Sequence, residues 1–409
     1  MRRTARTLLT TLTGAMLLVA QGAAHAGMTV ESKIKGPPPM IGGEIQYTID
    51  KNNVDQYKDK MPAGMYEQIK AWNHVVNVYE TVRDHKFPPQ YVAATEKHKG
   101  QPKVNEKGGL ESYTAGLPFP EPKTGIEVMY NYNYKYNGDD FFFGDTDFYC
   151  YSSTGKFRKL VGGYSRIAYQ GRLFLDPIPE IETAEGVESK EAQYLNYPED
   201  VAGLCLITVR YQDPSKGDDG WMYIPSIRRV RRISVAQRAD SFGGTDLTWD
   251  DYRGFSGKVS DYEWKLVGQQ EVIALYHAVT WKFRHKAGLP YAEDLRYELR
   301  PVWVVEGVNK DKDYLYSKRR LYIDVDSYFI LSEDFFDKRG TLWKYLEIPW
   351  TPDPRNFNQF AYGYFMYDLL ARRSTVIKIS EDPEQPTQVM NVGLTEEMFS
   401  PSYIQTYGR

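Results

Sequence analysis

The chain has 409 residues, enough to bury one large core or two ordinary ones. Its formal charge of −3 argues against general nucleic-acid binding. The 33 Tyr, 18 Phe and 8 Trp, set among 33 Gly and 23 Pro, favour strands and turns over long helices.

The opening stretch reads as a secretory signal. Arg2, Arg3 and Arg6 precede an apolar run from Leu8 to Ala20, and Ala24-His25-Ala26 forms a small-x-small cleavage site before Gly27. The apolar part is too short for a membrane span, and no Cys follows the site to carry a lipid. Residues 1–26 are therefore expected to be removed, leaving 383 residues with a charge of −6 in the periplasm. That compartment is oxidising and lacks ATP.

Residues 27–135 read as a mixed helix and loop region. Asn53 is placed to cap a helix from Val54, Pro62 opens a second through Trp72, and Pro88-Pro89 starts a third through about His98. Residues 101–123 form a Pro/Gly-rich connection. Residues 136–380 have the texture of strands. Phe141 to Ser152 and Lys156 to Gln170 flank the turn Ser153-Thr154-Gly155. Residues 171–200 read as a polar, acidic loop, and Leu204 to Tyr211 as an apolar strand. Tyr262, Trp264 and Leu266 alternate with Glu263 and Lys265, the pattern of a half-buried strand. Trp303 to Val308 is another strand, followed by a meander over Leu315 to Asp324, Phe329 to Asp337 and Thr341 to Ile348. Phe360 to Arg372 reads as a helix, and residues 381–409 as a Pro-rich tail wrapping the surface. Neighbouring strands in chain order make an antiparallel sheet the simplest topology.

Motifs for nucleophilic or nucleotide chemistry are missing. Gly254-Phe-Ser256-Gly257 lacks the spacing of a nucleophile elbow, and no phosphate-cradling glycine loop occurs. Outside the signal, His74, His85, His98, His277 and His285 have no metal-ligand spacing, so neither a metal nor a cofactor is expected. Asp139-Asp140 and Asp250-Asp251 are adjacent carboxylates, which an extended chain points to opposite faces. They read as solvated turn residues rather than an acid/base pair. Cys150 and Cys205 could pair in an oxidising space or remain two buried thiols on strands, the latter being preferred.

The most distinctive local feature is Trp221-Met-Tyr223-Ile-Pro225-Ser-Ile227-Arg228-Arg229-Val230-Arg231-Arg232. Four arginines in five positions form either a solvated turn paired with acids such as Asp246, Asp250 and Asp251, or a guanidinium cluster at a cavity rim or partner surface. Further motifs are Asp261-Tyr-Glu-Trp264-Lys-Leu-Val-Gly268, Leu295-Arg-Tyr-Glu298-Leu-Arg-Pro-Val-Trp303-Val-Val-Glu306 and Lys318-Arg-Arg-Leu-Tyr-Ile-Asp324. Asn53-Val-Asp-Gln-Tyr57-Lys and Gly116-Leu-Pro-Phe-Pro120 extend the set toward the N-terminus. Together, in this order, they resemble the domain-of-unknown-function family thirteen-twenty-nine, outer-membrane lipoprotein-sorting proteins. The resemblance implies a mainly β fold like the carriers LolA and LolB: an unclosed, strongly curved antiparallel sheet, a half-barrel, with helices covering or plugging an apolar cavity. It also implies partnership with an inner-membrane transporter of the resistance-nodulation-division type and an outer-membrane β-barrel protein. It carries no catalytic residues.

The resulting expectation is a periplasmic carrier of a lipid or other hydrophobic molecule. A buried methylene gains about 0.8 kcal/mol, so a dry cavity suffices without catalysis. Trp221, Tyr223, Trp264, Leu266, Trp303 and Trp343 are the candidate lining residues, each equally readable as sheet core. The alternative is an adaptor joining transporter and barrel with its interior filled by side chains. An ester hydrolase, the third reading, lacks a nucleophile motif.

Overall fold

The structure, a computed structural model, describes residues 38–39, 41–233, 238–278, 282–286, 289–293, 295–378 and 388–407. The expected signal peptide, and the tail before residue 388, lie outside the described residues.

Among the described residues sixteen strands build one sheet. The N-terminal region contributes β1 (Ile45–Ile49) and β2 (Val76–Tyr79). Then come β3 (Asp140–Tyr151), β4 (Phe157–Ala168), β5 (Val187–Tyr197), β6 (Cys205–Tyr211), β7 (Asp219–Ile224) and β8 (Arg229–Ile233). The second half supplies β9 (Tyr262–Leu275), β10 (Arg296–Asn309), β11 (Lys318–Asp324), β12 (Ile330–Phe336), β13 (Leu342–Glu347), β14 (Gly363–Asp368), β15 (Arg373–Lys378) and β16 (Gln388–Met390). The order across the sheet is β1-β2-β10-β11-β12-β13-β14-β15-β3-β4-β5-β6-β7-β8. In addition β9 pairs with β10, and β16 with β3. The sheet does not close on itself. Its pairings are antiparallel except β2 with β10, where Asn77, Val78 and Tyr79 lie beside Arg296, Tyr297 and Glu298. Residues 27–135 therefore feed strands into the main sheet.

Among the described residues four α-helices accompany it: α1 (Ala63–Trp72), α2 (Pro89–His98), α3 (Gly125–Asn133) and α4 (Pro401–Tyr407). Both prolines act as expected: Pro62 immediately precedes α1, and Pro89 is the first residue of α2. The cap on α1 comes from the sheet. Asp334 accepts the backbone N–H groups of Gly64 and Ala63 at 2.8 and 3.1 Å, and the Tyr322 hydroxyl at 3.0 Å. Asn53 precedes a 3₁₀ helix, Val54–Lys60, but its side chain does not cap it. Its amide instead ties the turn to Asp50 N–H and Thr48 C=O.

Two cores result. The larger lies against α1 and α3 and includes Val128, Met129, Phe255, Tyr262, Leu321 and Leu346. The smaller gathers Tyr169, Ile207 and Tyr223 under Phe399 and Ile404 of the C-terminal segment. Two sequence expectations fail. The supposed acidic loop contains β5, whose Glu188 and Glu191 are buried rather than solvated. The supposed helix Phe360–Arg372 is two strand segments, the short Asn358–Ala361 and β14. Every residue of β14 is buried between β13 and β15, so no alternation survives to mark it as a strand.

The adjacent acids do point apart, yet they are buried. Asp139 accepts N–H groups of Leu173, Phe174 and Leu175, and Asp140 those of Val392, Gly393 and Leu394. Asp250 pairs with Arg238, and Asp251 with Arg319. Cys150 and Cys205 are free thiols. They sit on β3 and β6 with two strands between them, so at about 4.8 Å per strand they stand beyond disulfide reach.

Candidate functional site

Helix α3 lies inside the open sheet, against β9 and β10. Thr124 and Glu127 start it with a reciprocal capping box. Gly125 lets it sit directly on the edge strand: a Cβ there would fall 2.9 Å from backbone atoms of Trp264, Lys265 and Leu266. Val128 and Met129 are fully buried, but polar groups fix much of the rest. Tyr130 donates to Gly108 C=O at 2.6 Å, and Tyr132 to Phe255 C=O at 2.7 Å. The Asn131 amide clasps Phe119 through both its N–H and C=O, holding the Leu-Pro-Phe-Pro segment. These tyrosines and the asparagine are weak helix formers, which hid α3 from the sequence reading. The Thr124-x-x-Glu127 spacing was the available signal.

Beyond Asn133 the chain runs on through Tyr134, Lys135, Tyr136 and Asn137. Three small polar cavities of about 20, 30 and 40 Å³ meet at Asn133, which lines all three. Each has room for only a few waters. The 30 and 40 Å³ cavities share Lys135, Asn137 and Arg166. A wider groove of about 300 Å³ lies at the rim, between Pro88, Phe357 and Met390. Tyr136 and Phe174, with ring centroids 5.5 Å apart, line both this groove and the 30 Å³ cavity. These two rings thus stand between the rim groove and the polar interior.

The 40 Å³ cavity is rich in cations: Lys135, Arg166, Arg210 and Arg253 face a single carboxylate, Glu191. Arg210 is neutralised by a two-pronged contact with Asp218, at 3.1 and 2.8 Å. Arg166 stands 3.7 Å from Glu191. Lys135 donates to Tyr132 C=O at 2.8 Å and rests 3.6 Å from that ring's centroid. Burial, with Arg253 and Arg166 nearby, pushes Lys135 well below the ordinary lysine value. Arg253 has a left-handed backbone (φ 58°), donates to Asn137 Oδ1 at 2.7 Å and stacks over Phe141 and Tyr164. Its Nε is buried with no hydrogen-bond partner among the described residues. None of these cations was singled out in the sequence, because only the fold brings residues 135, 166, 210 and 253 together.

The six candidate lining residues are spread across both cores. Trp221 and Tyr223 belong to the smaller core beneath the C-terminal segment. Trp264, Leu266, Trp303 and Trp343 pack on the larger one. Trp264 stacks on Tyr262 and donates to Val259 C=O at 2.8 Å. None of the six lines the four cavities described above. Arg228, Arg229, Arg231 and Arg232 are all exposed at β8, which ends the sheet. Arg232 pairs with Asp219. Asp246, Asp250 and Asp251 are occupied by Arg373, Arg238 and Arg319 instead.

Comparison with known proteins fits this architecture. A family model described as "Protein of unknown function (DUF1329)" matches residues 48–405. The chain belongs to the DUF1329 family. An uncharacterized protein of Pseudomonas aeruginosa is 27% identical over 421 residues, spanning 94% of this chain and 86% of that protein. Two crystal structures share the fold at a TM-score of 0.50 and 18% identity. One is an outer membrane lipoprotein-sorting protein domain from Vibrio parahaemolyticus, covering 69% of this chain and 98% of its own. The other is a DUF1329 family protein from Desulfovibrio piger, covering 68% and 97%. In this DUF1329 chain, no helix among the described residues is long and apolar enough to cross a membrane.

Proposed function

We propose that this DUF1329 protein is a periplasmic carrier of a lipid or similar hydrophobic molecule, held between α3 and the sheet. One observation carries the reading: an unclosed sheet surrounds a nine-residue helix whose C-terminal end is bordered by cavities and fastened largely by polar contacts. Such contacts return about 1 kcal/mol each and exchange readily with water. Displacing α3 also exposes Val128 and Met129, about 1.5–3 kcal/mol each. An entering acyl chain returns about 0.8 kcal/mol per methylene, so a chain of about a dozen offsets these losses. The lipoprotein-sorting description of the Vibrio domain supports a lipid-like cargo. The signal-like segment at residues 1–26 supports secretion to the periplasm. A resistance-nodulation-division transporter and an outer-membrane barrel remain the proposed partners, with the exposed arginines of β8 as the docking edge.

The adaptor reading draws on a different observation. The interior is filled by rings such as Phe255, Tyr252 and Tyr164, and the widest cavity described lies at the rim. Titration of delipidated protein with an apolar fluorescent probe separates the two. Saturable binding, displaced by a lipid extract, is expected for a carrier. Absence of binding would leave the adaptor.

A further inference from the structure

We propose that Lys135, Arg166 and Arg253 receive the oxyanion headgroup of an amphiphile, making the cargo an acidic lipid rather than a neutral one. The inference rests on the carrier reading and adds the chemistry of the cargo's polar end.

Three observations support it. The cavity these residues line holds four cations and one carboxylate, and only Arg210 is neutralised from outside it, by Asp218. Set against Glu191 and Asp218, the three guanidinium groups leave one positive charge over in the interior, beside Lys135, whose ammonium burial already disfavours. Buried charge is costly unless it is paired, and a retained excess of one sign suits a ligand of the opposite sign. Second, the hydrogen-bonding capacity is incomplete. Among the described residues Arg253 Nε has no hydrogen-bond partner, although its guanidinium also donates to Asn137; Glu191 Oε2 has none, and the Glu191 carboxylate stands 3.7 Å from Arg166. Lys135 spends one N–H on a backbone carbonyl and has no carboxylate partner among the described residues. Third, the volume suits a small headgroup. About 40 Å³ corresponds to roughly three waters, the size of a carboxylate, while the cavity is too small and too polar for a hydrocarbon chain. The apolar part would lie toward the groove of about 300 Å³, beyond Tyr136 and Phe174. An arriving anion would pair with Arg253 and favour the charged form of Lys135, turning an electrostatic cost into charge-assisted hydrogen bonds.

The test uses three twelve-carbon probes on the delipidated mature protein: dodecanoate, dodecyl phosphate and dodecanol. Wild type is expected to bind at least one anionic probe about tenfold or more tighter than the alcohol. Preference for dodecanoate over dodecyl phosphate identifies a fatty-acid-like cargo, and the reverse a phosphate-bearing lipid. Lys135→Gln combined with Arg253→Gln is expected to bring the anionic probes to within about twofold of dodecanol, with dodecanol itself unchanged. Equal binding of all three probes to wild type would overturn the headgroup site and leave the carrier intact. Binding of none would remove the carrier reading as well. If the double variant fails to fold, the wild type still decides. The ¹³C-carboxyl resonance of bound dodecanoate must titrate at lower pH than that of the free acid, and an unshifted titration refutes the site.

Discussion

Gly125→Ala tests whether α3 is a fitted plug. The added Cβ would stand 2.9 Å from Leu266 N, Lys265 C and Trp264 C. Ordinary carbon contacts begin near 3.5 Å, so the overlap is about half an ångström against three atoms at once. All three belong to the backbone of β9, which pairs with β10 along almost its whole length and cannot rotate away as a side chain would. The helix must retreat instead, pulling Val128 and Met129 from the core and stretching the Tyr132 contact to Phe255. Overpacking of this kind costs about 1–3 kcal/mol. The better helix propensity of Ala returns at most about 1 kcal/mol, and less in the first turn. Urea denaturation should therefore show a lower midpoint with an unchanged slope. If α3 gates the interior, the same variant should bind an apolar probe more tightly than wild type. Unchanged or increased stability would refute the packing argument. Lower stability without tighter probe binding would refute the gating argument.

Glu347 is buried among Tyr297, Tyr345 and Tyr367, and burial raises its pKa to about 8. A carboxyl that holds its proton more tightly when folded weakens the fold as pH rises from the ordinary glutamate value of 4.5 to about 8. The wild type should lose more stability across that window than Glu347→Gln, by up to about 1.4 kcal/mol per pH unit, while other buried acids such as Asp334 contribute equally to both; parallel stability curves for the two proteins would disprove it. Replacing Arg228, Arg229, Arg231 and Arg232 with Gln should shift stability by less than about 0.5 kcal/mol, because all four are exposed and only Arg232 has an acidic partner among the described residues. Partner capture should weaken, and either unaltered capture or collapse of the fold would count against the docking edge.

What the sequence determined follows from local rules. Proline-led starts of α1 and α2, the hairpin of β3 and β4, and the meander β11 to β13 were legible because caps, turns and half-buried alternation are written in neighbouring residues. The order of family motifs named the half-barrel. Tertiary structure decided what a strand meets on its two faces. Strand β14 looked helical because both its faces are buried, and β5 looked like a loop because its acids are buried against partners from elsewhere in the fold, Glu191 beside Arg166 and Glu188 beside Asn133. The same limit applies to the candidate site. Trp264 and Trp303 showed an apolar side without showing what covers it, whereas Lys135, Arg166 and Arg253 gave no local signal at all. Their shared cavity exists only because β4 and the loop before β9 meet the end of α3, and the work of bringing like charges together there is supplied by packing elsewhere in the fold.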